Sequence, residues 1–271
     1  MKKLFCLLTI FLVLSGCAGS DVASEVKDSG SLVWNDVQEG LAYAEALPAF
    51  QGSEKHMMLV KVDPRKFEFS LYENKSMKKA KTVREISREM KAPLVFNGAF
   101  FDENFLPLTF LKTKGKVLHK VSKAELVDGI FGLLNNGEAR LFDPKIFTDA
   151  EANELDFGLQ NGPVLLNAQG QVQVGTDIGK PAARTAMGLD RDGNVIVIFL
   201  KVSVLDSGNS LLLYDFARLL KDDPVLKKLG LHSVLNLDGG PSTGFMIGEK
   251  YYPEMNKVQN VVVVKPMRQR P

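Results

Sequence analysis

Short apolar runs with a period close to two recur through most of this chain, parted by turn residues, and they restrict it to a body built mainly of β-hairpins. LAYAEAL (41–47), HMMLVKV (56–62) and FEFSLY (67–72) roughly alternate apolar with polar side chains, and Asp63 with Pro64 makes the turn between the last two. Four further stretches, at 108–119, 129–142, 163–174 and 185–202, each read as two strands about a Gly-containing turn. Helical spacing marks residues 81–90, through Val83, Ile86 and Met90, and residues 211–220, extended to Gly230 as a C-cap. APLVF (92–96), SVLNL (233–237) and VVVV (261–264) read as short buried strands. The expected class is therefore α+β: a mainly β-sheet body with a few packed helices, its strand-end motifs converging on one rim.

The N-terminus is of a different kind. Lys2 and Lys3 precede an apolar run from Leu4 to Leu14, too short to span a bilayer stably, followed by LSGC at 14–17. That is the pattern of a signal peptide (1–16) ending in a lipobox, so Cys17 is expected to become the lipidated first residue of an exported, membrane-anchored envelope protein. Residues 17–31 are small and polar and read as a tether, with one domain over 32–271. Cys6 and Cys17 are the only cysteines, so the domain folds on its apolar core without disulfides. Of 34 Lys plus Arg against 32 Asp plus Glu, the excess is Lys2 and Lys3, leaving the rest neutral and without the basic footprint of a nucleic-acid partner.

Four polar, glycine-bearing segments fall at expected strand ends: NGAFFD from Asn97, QNGP from Gln160, ARTAMG from Ala183 and NLDGGPST from Asn236. Strand ends on a shared rim can converge from distant parts of a chain, and glycines there let a ligand approach the backbone. Together the segments resemble those of the phosphodiester glycosidases, the family of the lysosomal enzyme that removes N-acetylglucosamine from a mannose-6-phosphate diester. NGAFF stands where the family has an NGGYF-like segment and NLDGGPST where it favours a DGGGS-like turn, while the GP of QNGP and the RTAMG step also match. Ala99 replaces a common glycine, and Pro241 interrupts the last glycine run, removing one N–H from any backbone anion cradle there.

The resemblance implies hydrolysis of a sugar-1-phosphodiester, with Asp238, Arg184 and Asp102 as candidate catalytic groups. Asp238 ends a buried strand before Gly239 and Gly240; it reads as an acid, base or ligand, or as the aspartate of an ordinary Asp-Gly turn. The Arg184 guanidinium matches two phosphate oxygens, or makes a structural ion pair. Asp102 lies in DENFLP, which also reads as a solvated loop. Substrate contacts are expected from Asn97, Gly98, Asn161, Gly162, Thr185, Asn236, Gly239, Gly240 and Ser242, each with an alternative reading as a turn or strand-end residue.

The partner expected is a sugar phosphodiester or envelope glycan, with the membrane reached through Cys17. His56, His119 and His232 have no spaced partners, and no HExxH, CxxC or EF-hand loop is present; a carboxylate-only cation site at Asp238 stays open as the one cofactor expectation. Two other readings stand beside the hydrolase. One is a glycan-binding lipoprotein that keeps the cleft without turnover, argued from Ala99 and Pro241. The other is a metal-dependent phosphodiesterase that cuts the P–O bond, for which a His and Asp cluster is missing.

Overall fold

The computed structural model describes residues 31–176, 179–201 and 209–267. The expected signal peptide, Cys17 and nearly all of the tether lie outside the described residues. Three large antiparallel sheets make up the body, beside a two-stranded pair of Ala49–Phe50 with Ser53–Glu54. The largest has seven strands, in the order Asn35–Gln38, Leu41–Ala46, Met57–Val62, Val195–Leu200, Arg184–Leu189, His232–Asn236 and Val164–Leu166. A second, of five, runs Ala139–Phe142, Gly129–Leu134, Leu155–Asn161, Leu111–Thr113 and Lys116–His119. The third, also of five, runs Lys250–Tyr252, Phe245–Ile247, Leu94–Asn97, Asn260–Pro266 and Phe67–Glu73.

One core joins all three. Val197 and Phe199 of the first sheet, Phe131 and Phe157 of the second, and Phe96 and Val262 of the third belong to a single buried cluster. Strand alternation then requires a second cover wherever the opposite face is also apolar. In Val195–Leu200, Ile196, Ile198 and Leu200 turn away from that core and pack with Phe216, Ala217 and Leu220 of helix Leu213–Asp222. In Asn260–Pro266, Val261 and Val263 pack with Val83 and Ile86 of helix Val83–Met90.

Local chemistry sets the ends of these elements. Thr82 caps Val83–Met90 through a reciprocal pair with Glu85, which satisfies two backbone donors that the helix start leaves open. Gly230, at φ +62°, closes the turn Leu226–Leu229 in a left-handed conformation that glycine adopts without penalty. The body is mainly β, as expected, and its helices are short covers on two of the sheets. The segment at 163–174 departs from the hairpin expected of it. Val164–Leu166 forms a strand, but its partner is reduced to an isolated bridge at Val172.

Candidate active site

The strand ends that bear the four segments come from different sheets: Leu94–Asn97 from the third, Leu155–Asn161 from the second, and Arg184–Leu189 with His232–Asn236 from the first. Asparagine amides tie them together. Asn97 donates from Nδ2 to the Asp238 carbonyl at 2.6 Å, and its Oδ1 accepts from the Thr185 hydroxyl at 2.9 Å and the Gly244 N–H at 3.2 Å. Asn161 accepts the Phe100 N–H at 3.1 Å and donates to the Asn236 carbonyl at 3.1 Å. Asn236 donates to the Gly162 carbonyl at 2.8 Å, while its Oδ1 is buried with no partner. Asn97, Asn161 and Thr185 are fully buried. They hold the strand ends from behind rather than facing a ligand, which replaces the sugar contact expected of Asn97.

Where these ends meet lies a cavity of about 380 Å³, lined on its polar side by Lys180, Arg184, Asn236, Asp238, Gly239 and Gly240. Phe100, Leu126, Gly162, Pro163 and Leu213 are among its other lining residues. Crowding of the backbone accounts for two glycines of these segments, Gly162 in the cavity lining and Gly98 outside it. A β-carbon on Gly162 would stand 2.3 Å from the Leu126 carbonyl oxygen, and one on Gly98 would stand 2.1 Å from Asn260 Oδ1. Asn260 went unnoticed in the sequence, where it merely precedes VVVV. Its side chain accepts the Ala99 N–H at 2.7 Å and donates to the Ala99 carbonyl at 3.1 Å.

Asp238 is the one carboxylate among the described lining residues. Gly239 N–H donates to its Oδ1 at 2.9 Å, and the Ser242 side chain also bonds it; both favour the anion. Burial outweighs them and pushes the carboxyl up to about 6. Arg184 is buried at 8% exposure, and desolvation lowers its guanidinium to about 10, so it still carries its charge at neutral pH. Nε donates to the Leu211 carbonyl at 3.0 Å, and one terminal nitrogen donates to the Leu211 and Lys180 carbonyls at 2.8 and 2.6 Å. No carboxylate pairs with it among the described residues, in contrast to the ion-pair reading. The carbonyls fix its plane, and the other terminal nitrogen makes none of these bonds.

Two expectations require correction. Asp102 does not line the cavity; its Oδ1 accepts the Leu106 N–H at 2.8 Å, and its Oδ2 is 3.4 Å from Asn104 Nδ2, so it organises its own loop. The glycine turn also offers no free backbone cradle. Gly239 N–H goes to Asp238, Gly240 N–H to the Ala183 carbonyl at 2.8 Å, and Ser242 N–H to the Gly239 carbonyl at 3.2 Å. An anion must therefore be met by side chains, Arg184 and Lys180. The sequence reading did not name Lys180, four residues before Arg184. A divalent cation would find a single carboxylate beside two cationic side chains, and among the described residues no three His, Cys, Asp or Glu gather elsewhere as a metal site.

A family model described as phosphodiester glycosidase matches residues 90–265, a range that contains every lining residue of the cavity. No curated protein matches the sequence. Among solved structures, the catalytic domain of zebrafish N-acetylglucosamine-1-phosphodiester alpha-N-acetylglucosaminidase, auto-inhibited by its pro-peptide, superposes with a TM-score of 0.65 at 17% identity, covering 85% of each chain. A hypothetical protein from Synechocystis superposes with a TM-score of 0.65 at 16% identity over 86% of this chain, which spans 63% of that protein. At such identities the likeness is one of fold.

Proposed function

Because the chain belongs to the phosphodiester glycosidase family, we propose that it hydrolyses a sugar-1-phosphodiester at the glycosidic carbon, releasing free sugar and a phosphomonoester. The observation that carries this reading is the pairing, in one cavity, of a carboxyl poised near 6 with a buried guanidinium that no carboxylate among the described residues neutralises. Water attacks C1 as the C1–O bond to phosphorus breaks. The bonding pair leaves on the phosphate oxygen, and the water proton passes to Asp238. A phosphate leaves as a weak base, so it needs little protonation, and a fixed cation stabilises its developing charge. Arg184 takes that part, with Lys180 beside it. Asp238 activates the water; Asn97 and Ser242 act as positioning residues through their bonds to it.

The two departures from the family pattern bear on the binding-protein alternative. Ala99 is 1% exposed and packs in the main core, and Pro241 uses its carbonyl to accept the Met255 and Asn256 N–H groups at 2.8 and 3.0 Å. Neither lines the cavity, which removes the argument that they spoil it. Hydrolysis of methyl N-acetylglucosaminyl phosphate in ¹⁸O-labelled water tests the reaction. Label in the sugar supports it, label in the phosphate indicates P–O cleavage instead, and binding without turnover indicates a lectin-like protein. We further propose that Cys17 carries a lipid, which places the domain at an envelope membrane.

A further inference from the structure

Exposed apolar side chains border the cavity. Leu126 lines it yet is 66% exposed. The Leu108 N–H donates to the carbonyl of the lining residue Phe100 at 3.2 Å, and Leu106, two residues earlier, closes the same loop against Asp102. Leu106 and Leu108 are 58% and 49% exposed. Asp102 and Asn104 bond each other within this loop. On the side of the glycine turn, Met255 is 71% exposed and bonded through its N–H to Pro241, the residue after the lining Gly240. Of the ten exposed large apolar side chains among the described residues, Leu126 thus lines the cavity and three more, Leu106, Leu108 and Met255, sit on segments bonded to its wall or to the residue beside it. A single exposed leucine is ordinary, whereas several gathered at the mouth of a polar cavity mark a surface that receives something apolar.

Resting on the hydrolase reading above, we propose that the group beyond the phosphate is a lipid: the substrate is a sugar-1-phospho-lipid whose hydrocarbon lies along Leu126, Leu108, Leu106 and Met255. The charge pattern fits an amphiphile of this order, with buried Arg184 and exposed Lys180 in the cavity lining for the phosphate and hydrocarbon contacts at the lip. The expected lipid on Cys17 fits as well. Thirteen residues lie between it and Ser31, and at ~3.4 Å for each of the fourteen steps the extended span reaches about 48 Å, enough to let the mouth face the membrane that holds the anchor. The products would be free sugar and a lipid phosphate, so the class of reaction that supplies the substrate is glycosyl transfer onto a lipid phosphate.

The test uses the purified full chain and alkyl phosphates below their micelle concentrations, read by calorimetry. A methylene half-buried on such a lip strengthens binding about twofold, so Kd should fall about fifteenfold over the four methylenes from butyl to octyl phosphate. The double variant Leu106→Ser/Leu108→Ser, with a thermal melt to show that it folds, should flatten the series to within about threefold and leave methyl phosphate binding unchanged. A flat series in the unaltered protein, or a steep one that survives in the double variant, overturns the proposal. Turnover of the methyl diester is scored separately. Turnover with a flat series sinks the lipid and keeps the hydrolase, while a steep series without turnover keeps the lipid site and sinks the hydrolase.

Discussion

Replacing Asp238 by Asn should stop turnover and stabilise the fold at the same time. The carboxyl is pushed from its ordinary 3.8 to about 6 by burial. About two pK units at ~1.36 kcal/mol each make the ionised form about 3 kcal/mol less favourable in the folded chain than in the unfolded one. A folded-state pKa raised in this way contributes stability that is fully present below 3.8 and is lost as the pH rises through about 6. An amide keeps the acceptor for the Gly239 N–H and never ionises, so the variant escapes that loss. Discounting ~1 kcal/mol for the new amide donors leaves a gain of about 2 kcal/mol at pH 8, or ~4–8 °C in Tm for a domain of this size. The gain should vanish near pH 4. Turnover should fall at least ~10²-fold, and wild-type kcat/KM should decline on the acid side with an apparent pKa near 6, because the base must be unprotonated. Melts at pH 4 and pH 8, with steady-state kinetics on one sugar phosphodiester, check all of this. An Asn variant that is active, or whose stability difference from wild type does not change with pH, refutes the assignment of a buried, strained base.

Arg184→Lys should lose ~10²-fold in kcat/KM, since an ammonium cannot hold the Leu211 and Lys180 carbonyls and also present a fixed donor to phosphate; near-normal kinetics would show that charge alone matters. Gly162→Ala sets a methyl against the Leu126 carbonyl and should destabilise by ~3 kcal/mol or more while weakening substrate affinity, read by denaturant titration and KM. Asp102→Asn should keep kcat/KM within about threefold, because the side chain serves its own loop; a ~10²-fold drop would return it to the mechanism. Cys17→Ser should abolish incorporation of a labelled fatty acid and leave the domain folded, and label retained by the serine variant would remove the lipobox assignment.

What could be read from the sequence was local. The apolar runs at 57–62 and 195–200, the turn at Asp63 and Pro64, and the helical spacing of Val83, Ile86 and Met90 each act over a few residues, and the strands and helix they predict are present. Helix Asp149–Glu154 was overlooked because it has no apolar stripe; the Thr148 and Glu151 capping box was its only signal. The four glycine-bearing segments also stood out, because a ligand-facing turn and a crowded backbone both call for glycine. Period-two patterning says which side chains share a face but not which strand lies alongside. Only the tertiary structure decided that Val195–Leu200 pairs with Met57–Val62, and Leu94–Asn97 with Asn260–Pro266. The same holds for the site. An asparagine amide serves a sugar hydroxyl and a neighbouring carbonyl equally well, and the pairings at Asn97 and Asn161 turned them toward the backbone. Asp102 and Asp238 are both aspartates near strand ends in the sequence. Burial in the cavity that Arg184 also lines separates them, and burial is a property of the packed chain alone.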